Sequence, residues 1–404
     1  MPVQAQLIDR YFPPGVIGYG AAPGVTVLSR DRLAYEPLGV RAGGVVVRPT
    51  LSTAFGYTSN ALGQAGGRGS AVVQTSASLL AGTDWGRHTV GGFVSFDDQR
   101  YLATSGQSAT AWTVSLGGTA EIGRDRLVLA ASHLALFQTA RALDGLPVDR
   151  PGRFRVNDAR ASYTMTFGRL SVAPALTLSD TRYDDVFVGG QRVVQRYRDR
   201  IATDGNVTLR WELAPRRDVV LDLRATRFDH ARREPGQPSR NATTVALLGG
   251  IDYATDAVWR VRALAGVQHR RFADASLQPV TGPMAEASVI WTPSGLTTVT
   301  GTVSRRIEDA AELTAVSYIF TGARVAVDHE LYRSILLNAA VHVQQADYQQ
   351  GGGRDRYLGV GLGATWLIDR RLRASATWDW STRRADGGRA VDEGIALLRL
   401  RFAM

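Results

Sequence analysis

Three glycines at alternate positions of the segment GVGLGATW are the first residues whose spacing could serve chemistry. They are Gly359, Gly361 and Gly363, and glycine-rich loops cradle phosphates where their backbone amides open a helix. The spacing matches neither the GxGxxG motif of dinucleotide-binding folds nor the GxxxxGK[ST] phosphate-binding loop, and no helical pattern follows. We therefore interpret the glycines as one face of a β-strand, where they make room or permit bending, and we expect no nucleotide cofactor.

The histidines are the next candidates, because imidazole can act as a base or as a metal ligand. The six histidines are His88, His133, His230, His269, His329 and His342. They form no HExxH or comparable ligand spacing, and the sequence singles out no nucleophile with a base in reach, as hydrolysis requires. We expect no enzyme, no cofactor and no metal site. A catalytic barrel that uses His269 or His342 as its base is the weaker alternative.

Two acidic pairs, Asp97–Asp98 and Asp184–Asp185, could bind a divalent ion that bridges lipopolysaccharide. Solvated loop carboxylates are the interpretation that we favour. The chain contains no cysteine, which excludes thiol chemistry, disulfides and cysteine-based metal sites.

Arginine carries all of the positive charge, because the formal net charge is +10 and the sequence has no lysine. The arginines are scattered singly from end to end. Nucleic-acid binding needs a basic patch or a known module, so we expect no nucleic-acid partner.

The elements that position these residues are strands, as the segment RASATWDWST, residues 373–382, indicates. Its alternate residues Ala374, Ala376, Trp378 and Trp380 are apolar, and the residues between them are polar. Successive side chains of a strand point to opposite faces, whereas a helix of period 3.6 would mix the two sets. The same alternation recurs after residue 44, for example in VVVRPTLSTAFGYT and RLSVAPALTLSDT. Segments of about ten residues or more match a tilted membrane-spanning strand.

Short and long connections alternate between these segments. The short turns are 167–170, 214–218, 292–295, 330–334 and 368–371, and the long connections include 139–153, 182–199, 229–240 and 347–356. Outer-membrane barrels have short periplasmic turns and long extracellular loops, and no apolar run is long enough for a membrane helix. The sequence therefore predicts an all-β protein, a transmembrane antiparallel up-and-down β-barrel of about eighteen strands, in a range of roughly 16 to 18. A large soluble all-β protein or a β-helix is the alternative.

In such a barrel the apolar face contacts outer-membrane lipid and lipopolysaccharide, and the polar face lines a lumen. The predicted lumen-lining residues are Arg48, Arg160, Arg210, Arg224, Arg260, Arg262, Arg373, Asp204, Asp222, Glu286 and Asp379. Arg324, Arg399 and Arg401 share the same phase. We expect the arginines to bias the field of a channel toward anions. The alternative is that they pair with the acids and brace a filled interior.

Residues 1–42 differ from the predicted barrel, residues 43–404. The segment YFPPGVIGYGAAPGV, 11–25, is rich in proline and glycine and shows no alternation. We expect an irregular segment that enters the lumen or extends into the periplasm. Val3-Gln4-Ala5 has the small-residue spacing that signal peptidase prefers, without an apolar region before it. We expect the given chain to begin at or near the cleavage site of a signal peptide.

The element YEPLGVRAG and the strand after it carry a family resemblance. Its residues are Tyr35, Pro37, Leu38, Gly39, Arg41 and Gly43, followed by Pro49, Leu51, Tyr57 and Asn60. With them the chain resembles the outer-membrane family called putative β-barrel porin 2, although Thr58-Ser59 replaces the acidic pair usual before the asparagine. The terminal segment ALLRLRFAM resembles the strand that barrel-assembly machinery recognises, with Phe402 two positions before the end.

The resemblance implies transport rather than catalysis. Members of this family are often encoded with genes for exopolysaccharide synthesis and export, which implies an outer-membrane channel that secretes a polysaccharide with a periplasmic or inner-membrane synthesis and export complex. A general small-solute porin with mild anion preference and a plugged structural barrel are the alternatives. Conductance separates the plugged barrel from the two channels, and secretion of polysaccharide by a deletion strain separates the channels from each other.

Overall fold

The computed structural model describes residues 12–13, 15–19, 24–143, 145–254, 258–311, 315–386, 388 and 390–404. The regular structure of these residues is β-strand, apart from two short 3-10 helices at Ser105–Gln107 and Arg196–Arg198. Within the same ranges, no helix has the length and apolar character needed to cross a membrane. The predicted cleavage site at Val3 to Ala5 lies outside the described residues.

The strands are β1 (Val40–Ala42), β2 (Val45–Thr58), β3 (Ser70–Thr83), β4 (His88–Tyr101), β5 (Ala109–Ile122), β6 (Asp125–Gln138), β7 (Gly152–Phe167), β8 (Leu170–Tyr183), β9 (Val186–Val188), β10 (Gln191–Val193), β11 (Arg200–Ala214), β12 (Arg217–His230), β13 (Ala242–Tyr253), β14 (Trp259–Phe272), β15 (Val280–Ser294), β16 (Thr297–Asp309), β17 (Ser317–Tyr332), β18 (Ile335–Gln349), β19 (Arg354–Leu367), β20 (Leu372–Ala385) and β21 (Val391–Ala403).

The long strands close into a barrel. Among the described residues the main sheet has nineteen strands, the short β1 on β2 and eighteen long ones. Each long strand pairs antiparallel with its two neighbours, and β21 returns to β2 with Thr50 opposite Ala403. Strands β9 and β10 form a separate hairpin between β8 and β11. The predicted all-β barrel of about eighteen strands is confirmed, and its closure leaves no strand edge unpaired in lipid.

Connections differ in length at the two ends of the barrel. At one end, which we call the turn end, strands are joined by connections such as 123–124, 168–169 and 215–216. At the other, the loop end, 139–151 and 184–199 are the longest. The alternation is less strict than predicted, because the loop-end connection 350–353 is as short as 368–371 at the turn end.

The apolar face of the strands forms the outer surface of the barrel, as predicted. Leu51, Leu176, Leu362 and Leu398 are 47% to 68% exposed. Five tryptophans next to predicted short turns are exposed as well: Trp85, Trp211, Trp259, Trp291 and Trp366. Exposed tryptophans near one end match the aromatic girdle of an outer-membrane barrel. The outer surface is therefore suited to lipid.

We expect Leu362→Arg to destabilise the barrel by about 2 kcal/mol or more, because the guanidinium would lie in hydrocarbon near the middle of β19. Thr177→Arg is the matched control, since Thr177 lies opposite Asp204 on the inward phase of β8 and β11. The folded fraction is measured in lipid vesicles by urea titration. Equal losses of stability in the two variants would contradict the assignment of the faces.

The turn end is assigned to the periplasm, following the rule for outer-membrane barrels. Because the chain has no native cysteine, single cysteines report topology without background. We expect Gln191→Cys and Arg232→Cys, in exposed loop-end connections, to react with an impermeant maleimide on whole cells. Ser294→Cys at the turn end should react only after the outer membrane is opened. The opposite labelling pattern would invert the barrel.

Candidate transport site in the barrel lumen

Three of the predicted lumen residues form one ion-paired group. The Arg224 guanidinium on β12 donates to Asp222 at 3.0 Å and, across β13 and β14, to Glu286 on β15 at 2.6 Å. Arg224 and Asp222 are largely buried, with side chains 12% and 5% exposed. This arginine therefore braces the inner wall between β12 and β15.

Three other predicted arginines also have carboxylate partners, which the sequence analysis did not name. Arg210 lies 3.0 Å and Arg262 3.6 Å from the same acid, Asp252. Arg160 donates to Asp158 at 2.7 Å. Asp158 and Asp252 share the inward phase of their strands, so alternation was the signal that could have found them.

The predicted acids Asp204 and Asp379 lie beside small neighbours. The Thr226 hydroxyl donates to Asp204. Asp379 lies over Gly361 of the glycine segment, where an added Cβ would be 2.6 Å from a carboxylate oxygen. The sequence indicated that the glycines either make room or permit bending of the strand. In the structure they make room for side chains of the adjacent strands.

The other predicted arginines contact the N-terminal segment, which we define as the described residues 12–13, 15–19 and 24–42. Arg373 donates to the Tyr35 carbonyl at 2.9 Å and to Glu36 at 3.3 Å. The Arg260 side chain lies against Gly24. Arg48 lines a recess of about 460 Å³ together with Val16 and Glu36. These arginines thus hold a part of the chain itself inside the barrel.

One part of the N-terminal segment packs on the inner wall of β4 to β7. Phe12, Val16 and Tyr19 are buried in a cluster with Phe93 and Leu134. The Tyr19 hydroxyl donates to the Asp158 carbonyl at 3.3 Å, and Arg160 lies over its ring at 4.7 Å. Burial raises the pKa of the Tyr19 phenol above its usual range, so the hydroxyl stays protonated and can donate.

Another part of the segment reaches the opposite wall, formed by β16 to β19. The Val27 amide donates to the Thr298 hydroxyl at 3.1 Å, and Val27 packs with Leu336 and Leu367. Arg30 and Arg32 both form ion pairs with Glu330 near the turn end of β17, with Arg32 at 2.9 Å. Strands β5 and β16 lie on opposite sides of the ring. The described parts of the N-terminal segment therefore contact opposite walls of the lumen.

At the loop end, the connection 139–151 folds inward over the lumen. Arg141 lies 3.0 Å from Glu393 on β21, and Arg383 on β20 donates to the Ala140 carbonyl at 2.7 Å. Leu143 packs against the cluster that contains Tyr318 on β17. These contacts join a connection between β6 and β7 to β20 and β21 and, on the opposite side of the ring, to β17.

The connections 184–199 and 231–241 add to this covering. The Tyr197 hydroxyl donates to the Ala311 carbonyl at 2.6 Å, and Arg240 donates to the Ala310 carbonyl at 2.7 Å. Inward-turned loops narrow the mouth at the loop end, while the described parts of the N-terminal segment lie on opposite walls inside the lumen. The protein thus has an interior that its own chain partly fills.

The acidic pairs and histidines are distributed over the barrel. Asp98 accepts from Arg100 at 2.7 Å, and Asp185 forms an ion pair with Arg192. His269 contacts the Thr281 hydroxyl at 2.7 Å, and His342 lies on the inner wall. In the described ranges, no three potential ligands lie close enough together to hold a metal ion.

A closed barrel with an apolar outer surface and a polar, partly filled lumen defines a porin-type protein of the bacterial outer membrane. The chain belongs to the putative beta-barrel porin 2 family, whose model matches residues 33–401. The expected family and location are therefore confirmed. No curated protein matches the sequence.

Solved structures of outer-membrane barrels are similar in fold. The FrpB iron transporter from Neisseria meningitidis, F5-1 variant, is 10% identical with a TM-score of 0.45, over 86% of this chain and 64% of that chain. OccK9 (OpdG) of Pseudomonas aeruginosa is 11% identical with a TM-score of 0.46, over 89% and 98%. A bacterial polysaccharide outer membrane secretin is 13% identical with a TM-score of 0.39, over 89% and 98%. This chain spans less than two thirds of the FrpB transporter.

Proposed function

We propose that this protein is a gated outer-membrane channel that exports a polysaccharide, acting with a periplasmic or inner-membrane synthesis and export complex. The N-terminal segment is the gate. The observation that carries the proposal is the set of contacts that the described parts of the N-terminal segment make with opposite walls of an arginine- and carboxylate-lined lumen. A barrel of this size can enclose an aqueous channel when it is not filled.

The chemistry of the inner wall suits a hydrated sugar polymer. Guanidinium groups, carboxylates and hydroxyls can exchange hydrogen bonds with sugar hydroxyls and with anionic sugars. The polar groups are distributed along the wall instead of being gathered in one site. A moving polymer needs such a lining, because binding at each position must be weak enough for the chain to advance.

A gate is consistent with export of a polymer. A permanently open pore through a barrel of eighteen long strands would pass small solutes in both directions across the outer membrane. Contacts that the protein's own segment makes with the wall can be exchanged for contacts with the arriving cargo or with a periplasmic partner. Ion pairs such as those of Glu330 are suited to this, because they form and break without covalent chemistry.

Deletion of the gene tests the proposal. We expect the deletion strain to retain polysaccharide inside the cell envelope and to secrete little of it, with secretion restored by a plasmid copy. Secreted sugar is measured as hexose and uronate in the medium, with an outer-membrane porin of another family deleted as control. Normal secretion together with slower uptake of small sugars would contradict export and support a small-solute porin.

A further inference from the structure

Two neighbouring rows of inward-facing residues cross β16 to β19 near the middle of the strands. The first row consists of Thr302, Arg324, His342 and Gly359, and the second of Ser304, Gly322, Gln344 and Tyr357. All of them except Gly359 and Tyr357 line, with Phe320 and Ala323, a recess of about 310 Å³ on the inner wall. We call it the β16–β19 recess.

Glycines give this recess its shape. A Cβ at Gly359 would lie 2.2 Å from the His342 ring, and a Cβ at Gly322 would lie 2.7 Å from the Phe320 ring. Both distances are too short for a side chain. The His342 ring can lie over β19, and the Phe320 ring over the next inward position of its own strand, only because these positions are glycine. The His342 ring stacks on Tyr357 with 5.2 Å between centroids.

Arg324 is exposed on this wall. In contrast to Arg224, Arg210 and Arg373, it forms no ion pair with any residue that the structure describes. Asp328 is near enough to interact electrostatically with Arg324, and Asp379 with His342, but neither carboxylate forms an ion pair with Arg324. A guanidinium that lines a polar recess and forms no ion pair can donate hydrogen bonds to the carboxylate of a ligand.

We propose that the β16–β19 recess binds the carboxylate of an acidic sugar, a hexuronate unit. The Arg324 guanidinium donates to the carboxylate, which it can bind with two parallel hydrogen bonds. Thr302, Ser304 and Gln344 offer hydroxyl and amide groups to the ring hydroxyls. The His342 ring, which stacks on Tyr357 with one face, packs with its other face against the C–H groups of the sugar. This inference rests on the proposed function and adds that the exported polymer is acidic.

Titration calorimetry of the purified barrel with sodium galacturonate tests the site, with galactose as the neutral probe. We expect galacturonate to bind at least about tenfold more tightly than galactose, because charge-assisted hydrogen bonds exceed neutral ones. Arg324→Gln should weaken galacturonate binding by about tenfold or more and leave galactose unchanged. Arg324→Lys should give an intermediate affinity, since it keeps the charge and loses the two-bond geometry.

Two further variants separate the site from general charge effects. Arg356→Gln removes an exposed arginine from the outer face of β19 and should bind galacturonate as the wild type does. Gly359→Ala displaces the His342 ring without changing charge and should weaken both sugars. Equal affinity for galacturonate and galactose, or unaltered binding by Arg324→Gln, would overturn the site.

Failure of this inference is distinguishable from failure of the proposed function. If the deletion strain stops secreting polysaccharide but the purified barrel does not bind galacturonate, the acidic-sugar site is wrong and the export channel stands. If galacturonate binds as expected while the deletion strain secretes normally, the site stands and the export function is wrong.

Discussion

Glu330→Gln is expected to raise the open fraction of the channel by about tenfold or more, because it weakens the attachment of the N-terminal segment at the turn end. The Glu330 side chain is 8% exposed and pairs with both Arg30 and Arg32. Hydrogen bonds to charged groups contribute about 1.5 to 3 kcal/mol, and 1.4 kcal/mol corresponds to a tenfold change in an equilibrium constant. The readout is the open probability of single channels in a planar bilayer.

Asp347→Asn is the matched control for this experiment. It removes a carboxylate that pairs with Arg354 at 2.5 Å at the loop end of β18, away from the N-terminal segment. We expect its open probability to equal that of the wild type. Equal open probabilities for Glu330→Gln and the wild type would show that this ion pair does not hold the gate. A fully open wild-type channel would contradict the gate itself.

Arg224→Met is expected to lower the free energy of unfolding by about 3 to 4 kcal/mol, because it removes the guanidinium that pairs with the buried Asp222 carboxylate and donates two hydrogen bonds to Glu286. Methionine keeps most of the length and apolar character of the arginine side chain, so the stabilisation that is lost is mainly electrostatic. Asp222 would retain the Thr208 hydroxyl at 3.3 Å as a donor, whereas Glu286 would lose a bidentate partner. Stability is measured by urea titration of the barrel in lipid vesicles.

Arg227→Gln on the same strand is the control for Arg224→Met. Arg227 pairs with Asp229 at 2.9 Å, but the two side chains are 70% and 44% exposed. Exposed pairs contribute about 0 to 1 kcal/mol, so this variant should remain close to the wild type. The triple change Arg224→Met, Asp222→Asn, Glu286→Gln should recover much of the loss. Similar stabilities for Arg224→Met and Arg227→Gln would mean that Arg224 does not brace the wall.

These two predictions separate two roles that the lumen arginines share. Arg224 joins strand to strand and stabilises the barrel, whereas Arg373 and Glu330 join the wall to the N-terminal segment. The sequence alone was compatible with two roles for these arginines, lining an open channel or bracing a filled interior. In the structure, most of the predicted arginines already have partners within the chain. Arg324, which was not among the principal lumen candidates, forms no ion pair with a carboxylate in the described structure, and neither do the predicted Arg48 and Arg260.

The alternation of apolar and polar residues in the sequence was sufficient to predict the strands, their inner and outer faces, and the barrel. The phase is a local property, because each residue points opposite to its neighbour wherever the strand lies. Leu362 and Arg224 could therefore be assigned to lipid and lumen without knowledge of any contact. Unsatisfied strand edges are not tolerated in hydrocarbon, so an amphipathic set of long strands has to close. The same phase rule could also have identified Asp158, Asp252 and Glu330.

The tertiary structure alone decided which inward-facing side chains meet. Arg224 and Glu286 are 62 residues apart in the chain, and Arg373 and Glu36 are 337 apart. Their contacts depend on the register of several strand pairs and on the path of an irregular segment, neither of which has a periodic signal. The row from Thr302 through Arg324 and His342 to Gly359 exists for the same reason. Shifting one of these strand pairs would disperse the recess while leaving every residue on its predicted strand.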